Sequence, residues 1–263
     1  MRNMMVKICG VTTEDDAKMV GRFPIHAVGF VFYPASKRFV CPEMAKTFVQ
    51  IIRDESEGKI SCVGVFVDET GERMREIIRY ADLDAVQLHG NESVEAVRTL
   101  RREGNKVIRR VHPENLVTAE KQYAEFLDAK HNEFWFSSRF NLRRMPADVG
   151  ARKNLEWNSD ECEKPRSFSG QKTQKWPDFT FLTEISGGKM PGGEGVSWEW
   201  EVLECLPEVR VPVILAGGVT PENVLKVKNM KNVMGVDVSS GVESGPGRKS
   251  EEKIKLLLER LYG

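Results

Sequence analysis

The feature that most constrains this chain is an alternation. Short apolar runs are followed, again and again, by longer runs of helical periodicity. "MVKICGV" leads into "TTEDDAKMVGRF", where Thr12 or Thr13 is placed to cap a helix and acids fill its first turn. "HAVGFVF" is followed by "PEMAKTFVQIIRDE", with proline at the first helical position. "ISCVGVFVD" precedes "ETGERMREIIRYA", whose Met74, Ile77, Ile78 and Ala81 share one face. "AVQLH" precedes "ESVEAVRTLRREG", with Gly104 as the helix stop, and "KVIRRV" precedes a polar helix near residues 114–130. The alternation resumes at "DFTFLTEIS", with a short helix around "WEWEVLECL". "VPVILAGGV" then precedes "PENVLKVKNM", and "VMGVDVSSG" precedes a last helix striped with Ile254, Leu257, Leu258 and Leu261. Nearly unbroken apolar strands alternating with helices predict a parallel sheet covered by helices. Eight such pairs in 263 residues predict a single-domain α/β fold, the (β/α)8 TIM barrel. A doubly wound open sheet is the alternative, and eight units over this length suit it less well.

Charge and cysteine content narrow the function. Lys+Arg and Asp+Glu balance at 39 each, so no global field draws the chain to nucleic acid or an anionic membrane. Cys9, Cys41, Cys62, Cys162 and Cys205 are scattered, odd in number and without a C-x-x-C pair. That is a reduced pattern rather than a disulfide framework or zinc site, and no metal is expected. The chain has no 18-residue apolar run, and its first strand follows no signal-like segment, so a cytoplasmic protein is expected.

In a barrel of this kind the site lies at the C-terminal ends of the strands. Cys9 ends the first strand, and Lys7 shares its face by the two-residue period. His89 ends the fourth in "VQLHG". Gly217 and Gly218 follow the seventh, and Asp237, Ser239, Ser240 and Gly241 end the eighth in "VDVSSGVE". Two adjacent strands running into glycine and serine suit a phosphate held by backbone N–H groups, although plain turns would also use glycine.

"KICG", "GFVFYPASKR", "VGVFVD", "AVQLHG", "GGEGVSWEW", "LAGGVTPENV" and "GVDVSSGVESGPGRK" together resemble the phosphoribosylanthranilate isomerase family, over residues 5–127 and 178–263. The resemblance implies an Amadori rearrangement in tryptophan biosynthesis. An N-(5-phosphoribosyl)anthranilate aminoaldose becomes the 1-deoxyribulose 5-phosphate aminoketose, without cofactor or metal. It implies Cys9 as general base and Arg38 as a substrate-contacting arginine, with His89 and Asp237 facing the substrate. Lys7 is then a positive neighbour that favours the thiolate, or one half of an ion pair inside the barrel. A small phosphosugar is the implied partner, and the chain is expected to be a monomer or homodimer. Two other readings remain: a phosphosugar-binding relic, or another ribose-phosphate barrel such as indole-glycerol-phosphate synthase, against which "KICG" argues.

The sequence departs from the family pattern twice. The family's acid is an aspartate ending the sixth strand, and "FTFLTEISGGKMPGGEG" has none. Glu184 is the preferred acid, because "DFTFLTE" is the better strand and leads into the glycine loop; burial would raise its pKa for the task. Asp128 in "EFLDAK" is the alternative acid. Residues 131–177 are the second departure. They lack a clear period and carry Trp135, Trp157 and Trp176 among many basic residues. They read as an insertion between helix five and strand six, or as part of the loop after strand six. A lid, a docking surface or disorder would each fit, while Asp160, Glu161 and Glu163 interrupt any nucleic-acid-binding pattern.

Overall fold

A computed structural model of the chain describes residues 4–126, 177–184, 209–228, 230 and 233–263. Eight parallel strands close into a barrel in sequence order: β1 (Met5–Cys9), β2 (Ala27–Val31), β3 (Ser61–Phe66), β4 (Ala85–Leu88), β5 (Lys106–Arg110), β6 (Phe179–Glu184), β7 (Val213–Ala216) and β8 (Val233–Val238). The α-helices among the described residues are α1 (Glu14–Gly21), α2 (Pro42–Ser56), α3 (Gly71–Tyr80), α4 (Val94–Arg102), α5 (Leu116–Gln122), α6 (Val224–Lys228) and α7 (Glu251–Tyr262). A small antiparallel hairpin, β9 (Glu243–Gly245) and β10 (Arg248–Lys249), sits between β8 and α7.

The helix ends obey the local chemistry. Thr13 caps α1, accepting from the Asp16 N–H, and Thr70, Ser93 and Ser250 cap α3, α4 and α7 in the same way. Pro42 opens α2. Gly104 adopts φ +86° just beyond α4, a conformation that stops the helix at little cost to glycine.

Strand parity divides the core. Val6, Ile8, Val28, Phe30, Phe179 and Phe181 join the apolar layer between strands and helices. Their neighbours of opposite parity, among them Lys7, Cys9, Gly29, Gln87, Leu182 and Asp237, therefore face the barrel interior. The stripe on α7 is buried as its period demands.

The chain between β5 and β6 differs from the single polar helix that periodicity predicts. A 3₁₀ turn (Pro113–Asn115) leads into α5, which ends at Gln122, and a second 3₁₀ turn spans Ala124–Phe126. The break brings Tyr123 and Phe126 onto β6, with ring centroids 5.3 and 5.4 Å from Phe179. Burying these rings outweighs the modest propensity for a continued helix. β5 pairs directly with β6, Val107 opposite Phe179. The sixth strand is therefore "FTFLTE", and Glu125–Phe126 of "EFLDAK" lie in a 3₁₀ turn. Asp128, the segment 131–177 and the helix expected around "WEWEVLECL" lie outside the described residues. No helix among the described residues is long and apolar enough to cross a membrane.

One ion pair lies wholly inside the barrel. Lys7 on β1 is directly opposite Asp237 on β8, and Nζ reaches Oδ2 at 2.7 Å. The lysine is fully buried and the aspartate nearly so. Removing one partner leaves the other charge stranded, at a cost of about 3–5 kcal/mol. Lys7→Met should lower stability in urea denaturation by about that amount, and Lys7→Met/Asp237→Leu should recover most of it. A single variant costing less than ~1 kcal/mol would mean that water reaches the pair.

Candidate active site

Cys9 is the last residue of β1. Its side chain emerges at the strand ends, and the residue is 8% exposed. Gly29, its neighbour across the ladder, has no side chain to cover it. A Cβ built on Gly29 would lie 2.7 Å from Cys9 Sγ and 3.0 Å from Lys7 Nζ. Thiol, ammonium and the missing side chain thus occupy one small volume. Burial pushes the Cys9 thiol up; Lys7 pulls it down, Asp237 raises it again and Lys249 lowers it, leaving it above the ordinary value. Lys7 favours the thiolate without reversing the cost of burial, because Asp237 already takes much of its charge. Burial lowers Lys7, but Asp237 and Cys9 outweigh that, so the ammonium keeps its proton.

Arg38, in the loop after β2, crosses the β1 end at Gly10. That glycine has φ +77°, and any Cβ there would overlap the arginine stem. The guanidinium pairs with Glu243 through Nε and Nη2, both at 2.7 Å. This bidentate fork fixes the plane of the arginine and leaves Nη1 outside it. Lys249 on β10 binds the same carboxylate at 2.8 Å and the Cys9 carbonyl at 2.6 Å. Burial tends to raise Glu243, but Arg38 and Lys249 hold its carboxyl down at about 2.

His89 and Glu184 meet at the mouth. His89 Nε2 is 3.2 Å from Glu184 Oε1, and Arg110 Nε donates to Oε2 at 3.0 Å. Gln87 Nε2 stands 3.0 Å from His89 Nδ1. The loop that carries His89 is held by Arg109, whose Nη1 donates to Glu92 at 2.6 Å and to the Gly90 carbonyl at 3.1 Å. The raised pKa expected of Glu184 is not found. Burial pushes it up, but His89 and Arg110 outweigh burial, and the carboxyl lies below its ordinary value. Burial follows from the strand end itself, whereas the cations around it come from β5 and the loop after β4.

The two glycine-serine loops are in contact. A Cβ on Gly241 would fall onto the Val219 carbonyl, so only glycine lets the loop after β8 approach the loop after β7 this closely. Gly217 and Gly218 both take positive φ, +81° and +55°. Asn223 braces their turn: its Nδ2 donates to the Gly218 carbonyl at 2.9 Å, and its Oδ1 accepts from the Thr220 N–H at 2.8 Å. Ser239 Oγ donates to the Cys9 carbonyl at 2.9 Å, so this hydroxyl ties β8 to β1. Ser240–Val242 form a 3₁₀ turn directly after it.

The described structure brings Lys7, Cys9 and Asp237 into one cluster and His89 and Glu184 into another. Glu243, Lys249, Arg110 and Gln87 were not singled out from sequence. Glu243 and Lys249 do stand in "GVESGPGRK", where Gly-Pro-Gly between two short polar runs is a hairpin signal. Among the described residues no group of three or more His, Cys, Asp or Glu is placed to hold a metal.

A closed eight-stranded α/β barrel with ionisable groups gathered where its strands end defines a class, the TIM-barrel enzymes. Comparison with known proteins narrows it. The family model for N-(5'-phosphoribosyl)anthranilate isomerase matches residues 6–135 and 143–260. The isomerases of Microcystis aeruginosa and Thermotoga maritima are each 30% identical over 258 residues; that is 98% of this chain, and 97% and 98% of theirs. The crystal structure of the Thermotoga maritima enzyme superposes with a TM-score of 0.65 at 30% identity, covering 98% of both chains. A phosphoribosylanthranilate isomerase crystallised with reduced 1-(o-carboxyphenylamino)-1-deoxyribulose 5-phosphate gives a TM-score of 0.61 at 28% identity, again over 98% of both. The chain belongs to the phosphoribosylanthranilate isomerase family.

The gap at Gly29 makes a direct prediction. Gly29→Ala places a methyl against Sγ and Nζ, so the thiol or the ammonium must move. A misplaced catalytic group costs about 10²-fold in rate. The variant should lose turnover on that scale while keeping cooperative thermal unfolding. Turnover within about twofold of the parent would mean that the Cys9–Lys7 spacing is not critical.

Proposed function

We propose that Cys9 and Glu184 carry out the family's Amadori rearrangement on this chain. The substrate is N-(5-phospho-β-D-ribosyl)anthranilate, and the product is 1-(2-carboxyphenylamino)-1-deoxy-D-ribulose 5-phosphate, a step of tryptophan biosynthesis. The observation that carries the reading is the thiol of Cys9 at the end of β1 beside a buried ammonium, with a carboxylate three strands away around the same ring.

Glu184 gives a proton to the ring oxygen as the C1–O bond breaks, and the bonding pair goes to that oxygen. The anthranilate nitrogen supplies its lone pair to form the protonated Schiff base at C1. The Cys9 thiolate then removes the proton from C2, and the electron pair flows toward the cationic nitrogen to give the enolamine. Tautomerisation completes the ketone. The Schiff-base charge adds to Lys7 in favouring the thiolate at the step that uses it. Substrate that drives water from the mouth favours the neutral carboxyl of Glu184, with His89 at 3.2 Å as the neighbour that exchanges its proton. Asp237 Oδ1 is buried without a partner among the described residues, an acceptor suited to a substrate hydroxyl. Arg38 Nη1 and Arg110 are cations suited to the anthranilate carboxylate. The paired loops at Gly217–Gly218 and Ser239–Gly241 suit the phosphate.

Two substitutions test the roles. Cys9→Ala should lower kcat ~10²–10⁴-fold with binding of a product analogue nearly intact. Glu184→Gln should lower kcat at least ~100-fold, while Asp128→Asn is nearly silent. The reverse result would give the acid role to Asp128. A Cys9→Ala enzyme with more than about half the parent rate would remove the thiol from the mechanism.

The pH profile provides a separate test. The carboxyl lies below its ordinary 4.5 and the thiol above its ordinary 9.0, so the productive form, protonated acid with ionised base, is a minority species. Between the two pKa values each pH unit gains thiolate tenfold and loses protonated acid tenfold, so its fraction is constant. kcat/KM should therefore be level across the neutral range and fall on either side. A break inside that range would take the mobile proton away from Glu184.

A further inference from the structure

The hairpin β9–β10 holds a buried lysine that the reaction above does not use. Lys249 Nζ spends its donors on the Cys9 carbonyl at 2.6 Å, Glu243 Oε1 at 2.8 Å and the Ser239 carbonyl at 3.4 Å. Its side chain is fully buried, and that of Glu243 is 5% exposed. Its backbone is held as well: the Lys249 N–H donates to Asp16 on α1 at 3.2 Å. Thr12 Oγ1 donates to the Gly247 carbonyl at 2.6 Å, fixing the hairpin turn to the loop after β1. Lys253 on α7 donates to the Glu243 carbonyl at 2.6 Å.

A simple stabilising contact would not need a lysine here. Burying an ammonium is costly, and an apolar side chain of similar volume often does as well. What the lysine adds is a positive charge bonded to the backbone of Cys9; burial lowers its pKa, and Glu243 opposes that. The same carboxylate that neutralises it grips Arg38 in a bidentate fork. A continuous path therefore runs from Arg38 through Glu243 and Lys249 to Cys9.

We propose that Lys249 is a positioning residue for the isomerisation: it clamps the end of β1, sets a second cation near the Cys9 thiol, and through Glu243 fixes the edge that Arg38 presents to substrate. The inference rests on the reading of Cys9 as the base. The charged groups acting on that thiol are Lys7 on its own strand, Asp237 on β8, Lys249 on β10 and Arg38 from the loop after β2. Lys7 is largely offset by Asp237 at 2.7 Å, and Lys249 by Glu243 at 2.8 Å. Changing one member of the second pair should therefore move the thiol without touching the first.

The test follows Cys9 itself. The full-length protein is alkylated with iodoacetamide across a pH series, and modification is read at the Cys9 peptide by mass spectrometry. Steady-state kcat and KM are measured alongside. In Lys249→Met the alkylation midpoint should rise by about one pH unit and kcat should fall about tenfold, with KM within about threefold. Lys249→Arg keeps the cation, and its midpoint should stay within about 0.3 units of the parent. Glu243→Gln removes the anion facing Lys249 and frees Arg38. Its midpoint should move down, opposite to Lys249→Met, while KM rises. Equal midpoints in all variants, or shifts of the same sign in Lys249→Met and Glu243→Gln, would overturn the proposal and leave Lys249 as a structural residue. If Lys249→Met does not fold, the other two variants still decide the sign. Alkylation does not depend on turnover, so an active Cys9→Ala enzyme would refute the base assignment while the midpoints still report on Lys249.

Discussion

The site depends on the Lys7–Asp237 ion pair. It joins the first strand to the last, 230 residues apart in sequence, on the inside of the barrel. Neither charge is tolerable there alone. Together they fix β1 against β8 in the register that puts Cys9 and Ser239 at the same level, where the serine hydroxyl reaches the Cys9 carbonyl. The pair also sets the potential around the thiol. Because Asp237 sits within 2.7 Å of Lys7, the ammonium cannot act as an undiluted positive charge on Cys9. The thiol therefore lies above its ordinary value, with burial as the leading cause.

The acid side shows the mirror situation. Glu184 is half-buried, which would favour a proton, yet Arg110 and His89 hold it as a carboxylate. An aspartate at this strand end would stop one methylene short of them. The longer glutamate side chain reaches Arg110 on β5 and His89 just after β4, and these hold the carboxyl below its ordinary value. The carboxyl is thus held below its ordinary value and the Cys9 thiol above its own.

The sequence made legible whatever depends on period. Strand parity placed Lys7 and Cys9 on one face, and both point into the barrel. The capping threonine, the opening proline of α2 and the stripe of α7 stand where side-chain chemistry put them. What was not legible depends on contacts across the ring. Asp237 was readable as a residue at a strand end, but its partnership with Lys7 was not, because nothing local links them. Arg110 is one of two adjacent arginines in "KVIRRV"; only the pairing of β5 with β6 brings it to Glu184. The broken helix after β5 has the same origin, since the rings that break it are answering to Phe179 on a strand more than fifty residues on.

Glu243 and Lys249 show how a site can be extended without lengthening a strand. The eighth strand stops at Val238, and its chemistry would stop with it. The hairpin that follows returns the chain to the β1 end, with the Lys249 ammonium on the Cys9 carbonyl. Anchors from Thr12 and Asp16 mean that the hairpin cannot shift without disturbing the first βα loop. Arg38 is tied in from the second loop by the same carboxylate. The loops after β1, β2 and β8 are therefore tied into one unit, from the Arg38 guanidinium to the backbone of the cysteine. In a barrel whose strands are rigid and whose loops carry the chemistry, such ties let binding at one edge of the mouth be felt at the reacting atom.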